Sequence, residues 1–213
     1  MFISGDIMEF IYPFQPPALL HDVIDQSLID ESNKMCDGLV PEGTRNYAIS
    51  IDHPIHNLQE QIYKMAYDYI RAFENSCKKS IIDKDHKLTI SKMWFSEFRD
   101  KDYYQAHEHG DNHILSGVLY LKVPKGLKKE YDDEVPTGGK IDGVLVSNVN
   151  GCIEFTYNPM IIPSRLISTN TFLVTPEIGH IYIWPAWLFH TIYPYYGPDV
   201  RRSVSFNLMT VPA

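Results

Sequence analysis

The sequence predicts a mainly β domain carried on an N-terminal helical layer, closing either as a sandwich or as a barrel-like roll. Three observations lead there. A chain of 213 residues with 44% apolar and 22% charged residues can bury one substantial core. Before about residue 78 the apolar positions recur at three- and four-residue steps. After about residue 88 they come in short runs of Val, Ile, Tyr, Phe and Trp, cut by Gly, Pro and Asn turns. The natural division is one domain over 1–213, with a helical support layer at 1–87 and a β core at 88–213.

In order along the chain, residues 17–36 ("PALLHDVIDQSLIDESNKMC") set Leu20, Ile24 and Leu28 at helical spacing behind a double proline, which predicts a helix starting near Pro17. From Pro54 to Cys77, Ile55, Leu58, Ile62, Met65, Tyr69 and Phe73 form one apolar stripe. Asp52 and Pro54 supply cap chemistry there, so a helix lying on a sheet is expected. Strands are expected near 88–98, 103–109, 115–123, 143–148, 151–156, 171–174, 179–184, 188–194 and 201–209. The charged, turn-rich segment 124–140 reads as a surface loop or lid. With "TRNYAISIDHP" at 44–54, it is a natural place for substrate contacts.

Composition excludes several partners. The 27 acidic residues outnumber the 19 basic ones, for a net charge of −8, and no Lys/Arg stripe could neutralise a phosphate backbone, so nucleic acid is not expected. The longest apolar runs are too short to cross a bilayer, and "MFISGDIMEF" has acids where a signal peptide needs bases. Three scattered cysteines, Cys36, Cys77 and Cys152, support neither a disulfide framework nor a thiolate zinc site. A cytoplasmic protein is expected. A homodimer is compatible with the sequence, although no pattern in it specifies one.

The chemistry concentrates in "YQAHEHGDNHILSGVLYL" at 104–121. On a strand, side chains at i and i+2 share a face, so either His107 with His109 or His109 with Asp111 can converge on one metal ion. Glu108 points the other way, and His113 reads as a turn or rim residue. An isolated HxH is as well explained by a polar strand face. The second piece comes some eighty residues later, where His190 opens a strand in an apolar setting of Trp187, Leu188, Phe189 and Ile192. Further on, Arg201 and Ser203 share a face of the last strand, a fork plus a hydroxyl suited to a carboxylate; Arg202 faces the opposite way.

Taken together these stretches resemble the Fe(II)/2-oxoglutarate-dependent oxygenase superfamily, in particular a group of such oxygenases common in phage and marine bacterial genomes. The likeness is carried by Trp94, by His107 and His109, by "SGVLYLKVP" from Ser116 to Pro124, and by Gly151, Phe155 and Pro159. It continues through Pro176 and Gly179, "WPAWLFH" from Trp184 to His190, and "RRSVSFN" from Arg201 to Asn207. It covers about residues 94 to 209. The resemblance implies a double-stranded β-helix (jelly-roll, cupin-like) core holding Fe(II), with 2-oxoglutarate as co-substrate and O2 as oxidant. It also implies hydroxylation of a C–H bond in a small molecule or protein side chain, coupled to decarboxylation of 2-oxoglutarate to succinate. His190 becomes the distal metal ligand, Arg201 with Ser203 the grip on the far carboxylate, and Tyr104 and Tyr120 co-substrate neighbours. The near ligands stay open. H-E-H from His107 matches the group, and H-G-D from His109 gives the usual two-histidine, one-carboxylate set. Two rivals also stay open: a cupin-like metalloenzyme with three histidines and no 2-oxoglutarate, and a catalytically silent β-barrel binding module.

Overall fold

The computed structural model describes residues 18–50, 55–77, 80–110, 112–125, 140–141, 144–145, 151–157, 171–194 and 197–213. Its elements run β1 (Leu20–Val23), α1 (Gln26–Leu39), β2 (Asn46–Ala48), α2 (His56–Cys77), β3 (His86–Phe98), β4 (Tyr104–His107), β5 (Leu115–Lys122), β6 (Lys140–Ile141), β7 (Val144–Leu145), β8 (Ile153–Thr156), β9 (Thr171–Val174), β10 (His180–Pro185), β11 (Phe189–Ile192) and β12 (Arg201–Pro212). Each expected strand has an observed counterpart. The cap residues Asp52 and Pro54, most of the 124–140 segment, and the expected strand residues 146–148 lie outside the described residues.

The stripe expected on α2 is the buried one: Ile55, Leu58, Ile62, Met65 and Tyr69 all lie in the core, joined by Ala66 and Ile70. Fully burying such a side chain is worth about 1.5–3 kcal/mol, and that burial rather than helix propensity holds the element. The first helix differs from expectation. It begins at Gln26, and Leu20–Val23 is instead a strand paired with β10, Leu20 opposite Ile183 and Val23 opposite His180. The cause is tertiary: β10 would otherwise present a row of unpaired backbone groups, and four residues of β1 cover it. The chain then turns at Ile24, whose amide donates to the Gly179 carbonyl at 3.0 Å, and Asp25, in extended conformation, starts the helix.

Two antiparallel sheets face each other. The larger has the order β1-β10-β5-β12-β3-β2 and the smaller β4-β11-β8-β9; β6 and β7 pair separately. Alternation on the larger sheet sorts its side chains. Phe95, Leu119, Leu121, Ile181, Ile183, Val204, Phe206 and Leu208 pack on one side with α1 and α2 residues in the main core. On the other side, Val118, Tyr120 and Trp184 meet Ile153, Phe155 and Leu188 in a second cluster. Between the sheets the packing is incomplete, leaving a cavity of about 350 Å³ into which the polar face of β12 opens. This is the roll expected from the sequence, with the helices on its outer side. Among the described residues no helix is long and apolar enough to cross a membrane.

Candidate active site

The inner face of the smaller sheet brings the distant histidines together. His107, the last residue of β4, pairs with His190 of β11, which on its other side pairs with Phe155 of β8. Strand pairing places His107 and His190 side by side, with ring centres 4.3 Å apart. His109 arrives differently. The strand expected to reach residue 109 stops at His107, and beyond it the His109 amide donates to the Ala186 carbonyl at 2.8 Å, which anchors the segment just past β10. The ring of His109 lies 5.0 Å from that of His107 and 5.4 Å from that of His190, and one ligand atom from each of the three lies within 4.8 Å of the others.

Their hydrogen bonds orient two of the rings. Nδ1 of His107 meets the Gln105 carbonyl at 2.7 Å and Nδ1 of His190 meets the Leu188 carbonyl at 3.0 Å, which leaves Nε2 of each as the nitrogen able to hold a metal. Burial, with the neighbouring His107 second, pushes His190 down to about 3 and His109 down to about 4. Both are therefore neutral imidazoles at physiological pH, the form a divalent transition metal requires. The geometry thus joins His107, His109 and His190. Asp111, the alternative carboxylate, lies outside the described residues. Glu108 turns aside and accepts a hydrogen bond from the Gly110 amide, while His113 bonds the His109 carbonyl at 2.9 Å and supports the loop.

At the other end of the cavity stands Arg201. It is 1% exposed, its guanidinium lies 4.9 Å from the Tyr120 ring centre and 5.4 Å from that of Phe98, and none of its three nitrogens has a hydrogen-bond partner. A buried, unpaired guanidinium costs several kcal/mol, so this arrangement suits an anion that the protein itself does not provide. Ser203, two residues on, lines the same cavity beside it. Tyr120 supports Arg201 without lining the cavity, and its buried hydroxyl also lacks a partner. Burial pushes the Tyr120 phenol up, against the pull of Arg201. Tyr104 lines the cavity, its hydroxyl accepting from Asn46 Nδ2 at 3.2 Å and its ring 5.0 Å from His107. Three clustered imidazoles and, farther along the cavity, an orphaned guanidinium fit a ferrous ion and a dicarboxylate co-substrate.

Asn46 on β2 comes from the 44–54 segment expected to contact substrate, whereas the sequence reading gave no cavity role to Lys92 on β3 or to Ser116 and Asn207, whose hydroxyl and amide bond at 2.9 Å. The signal for them is strand alternation. Lys92, Trp94 and Ser96 recur at two-residue steps, as do Arg201, Ser203, Ser205 and Asn207, so both series share the face that carries Arg201.

Comparison with known proteins identifies the family and the fold. The model of the family described as "Putative 2OG-Fe(II) oxygenase" matches residues 92–207, more than half of the chain. Similar solved structures include a Pseudomonas putida prolyl-4-hydroxylase, at 14% identity and TM-score 0.53 over 90% of this chain and 86% of that one. The viral collagen prolyl hydroxylase of Paramecium bursaria Chlorella virus-1, in its 2-oxoglutarate complex, is 14% identical with TM-score 0.51 over 91% and 96%. HygX from Streptomyces hygroscopicus, with nickel and 2-oxoglutarate bound, is 8% identical with TM-score 0.58 over 91% and 82%. At such identities the likeness concerns the fold, the double-stranded β-helix. The comparison with curated proteins finds no match. The matched segment contains the three gathered histidines and the orphaned arginine, and the chain belongs to the 2OG-Fe(II) oxygenase family, with Fe(II) as its metal and 2-oxoglutarate and O2 as co-substrates.

Proposed function

We propose that this protein is a dioxygenase that hydroxylates a C–H bond of its substrate while 2-oxoglutarate is converted to succinate. In this reading His107, His109 and His190 hold the iron, and Arg201 with Ser203 holds the far carboxylate of 2-oxoglutarate. The observation that carries it is the buried guanidinium without a hydrogen-bond partner, at the opposite end of the histidine cavity. When bound, iron supplies the coordination of the oxo-acid end and the activation of dioxygen. The chain's own residues do the rest. Tyr120 and Phe98 hold the guanidinium plane in place, and Ser203 offers a hydroxyl beside it. Trp184, whose ring lies 5.2 Å from His190, and Phe155, at 5.9 Å, wall that side of the site with apolar surface and keep water out.

The test is isothermal titration of 2-oxoglutarate into the anaerobic, Mn(II)-loaded protein. Wild type binds, and Arg201→Ala binds at least tenfold more weakly with metal affinity unchanged, because loss of one partner of a buried charge pair costs about 2–5 kcal/mol. Equal affinity for 2-oxoglutarate in the two proteins, or loss of the metal from the Arg201 variant, would contradict this division of roles. The three-histidine set favours one second reading, a cupin-like metalloenzyme that does not use 2-oxoglutarate. Metal binding without any response to 2-oxoglutarate in the same titration selects it.

A further inference from the structure

The cavity has a second cationic end. Among its described lining residues there is no aspartate or glutamate, in a chain whose acids outnumber its bases 27 to 19, yet it holds two cations, Arg201 and Lys92. Register separates them. On the cavity face of the larger sheet Arg201 lies opposite Phe98, Ser203 opposite Ser96, Ser205 opposite Trp94 and Asn207 opposite Lys92. Six residue steps of strand therefore separate the two positions, about 20 Å at 3.3 Å per step.

The histidines are ordered along this axis. His107 stands on the Arg201 side, 5.0 Å from Tyr104, which in turn stacks on Phe98 at 5.8 Å. His109 stands on the Lys92 side, 6.1 Å from the Trp94 ring that Lys92 overlies. In the oxygenase reading, the first half of the cavity, between His107 and Arg201, would hold the co-substrate. The Lys92 half is left for the molecule to be oxidised.

That half is built from donors. Lys92 Nζ rests over the Trp94 ring, 5.4 Å from its centre, and no carboxylate among the described residues pairs with it. Asn207 faces Lys92 across the strands, and its carbonyl oxygen accepts from Ser116, which leaves the amide nitrogen as a donor. Ser116 continues the same row to Trp184, whose buried Nε1 has no hydrogen-bond partner. The solvent-exposed ammonium of Lys92 and the buried amide of Asn207, beside the Trp94 indole face, match a small molecule with a carboxylate next to an apolar body.

We infer that the oxidised substrate is a small carboxylic acid, its carboxylate on Lys92 and Asn207 and its body over Trp94, with the reacting carbon held toward the metal. This rests on the oxygenase reading. The probes are N-acetylated glycine, leucine, proline and phenylalanine, each beside its neutral carboxamide. They are added to Mn(II)-loaded enzyme saturated with 2-oxoglutarate, with paramagnetic broadening of the probe protons as the readout.

At least one acid is expected to be broadened tenfold more than its amide. Lys92→Gln removes that preference and Lys92→Arg retains it, while affinity for 2-oxoglutarate stays within twofold of wild type. Equal broadening of acids and amides, no broadening of any probe, or a preference that survives Lys92→Gln would overturn the inference. If wild type does not bind 2-oxoglutarate the oxygenase reading fails, and the same acid–amide comparison without co-substrate still reads Lys92.

Discussion

At the scale of single residues, the site sets one buried and two partly buried imidazoles against a buried guanidinium, and burial governs how His190 responds to pH. His190 is 3% exposed and its pKa is pushed down to about 3 from 6.5, by burial first and by His107 second. A histidine whose folded pKa lies below its unfolded value takes up its proton first in the unfolded chain. The stability it contributes is therefore complete above pH 6.5 and is lost as the pH falls toward 3. The metal-free protein should be less stable to urea at pH 5 than at pH 7.5, by on the order of 2 kcal/mol from this group. His190→Gln should flatten that dependence, and an unchanged slope in the variant would count against the burial. The sequence contained the histidines and Arg201 but not their separation of roles in space, since only the β4–β11 pairing makes residues 107 and 190 neighbours. It left the carboxylate alternative open because the spacing of His109 and Asp111 suits a strand equally well, whereas the observed strand ends two residues before His109.

At the scale of elements, β12 works on both faces. Arg201 faces the cavity, and its neighbour Arg202 faces the helices, as strand alternation requires. Arg202 is held by Glu97 through Nε at 2.7 Å and Nη2 at 2.5 Å, by Asp37 at 2.7 Å and by the Asn33 side chain at 3.0 Å. The guanidinium keeps the Asp37 carboxyl below the usual carboxylate range. Asn33 and Asp37 belong to α1 and Glu97 to β3, so one buried side chain ties a helix to the two strands that frame the co-substrate end. Glu97→Ala should destabilise the fold by about 1.5–3 kcal/mol, because it removes the buried carboxylate of this network and leaves Arg202 with the more exposed Asp37. Denaturant unfolding measures this, and a loss under 1 kcal/mol would mean the network is not what joins α1 to the sheet. None of these partners is readable from the sequence, where "RRS" looks like an ordinary surface pair. The strand β1 was equally hidden: its leucine spacing is helical, and only the open edge of β10 decides otherwise.

At the scale of the whole molecule, the two sheets divide the work. The larger one, backed by α1 and α2, supplies the main core and the polar floor of the cavity; the smaller supplies His107 and His190. The change of hydrophobic period near residue 88 was enough to read this architecture, because each layer buries its own stripe. The cavity was not legible in the same way, since it forms where facing polar residues of β3 and β12 leave the space between the sheets unfilled. The account therefore turns on metal and co-substrate meeting in that space. Its most direct measurement is visible absorption of the anaerobic protein with one equivalent of Fe(II) before and after addition of 2-oxoglutarate. Wild type should develop the weak charge-transfer band of the chelate and His190→Ala should not, whereas a folded, iron-loaded wild type that stays colourless would contradict the account.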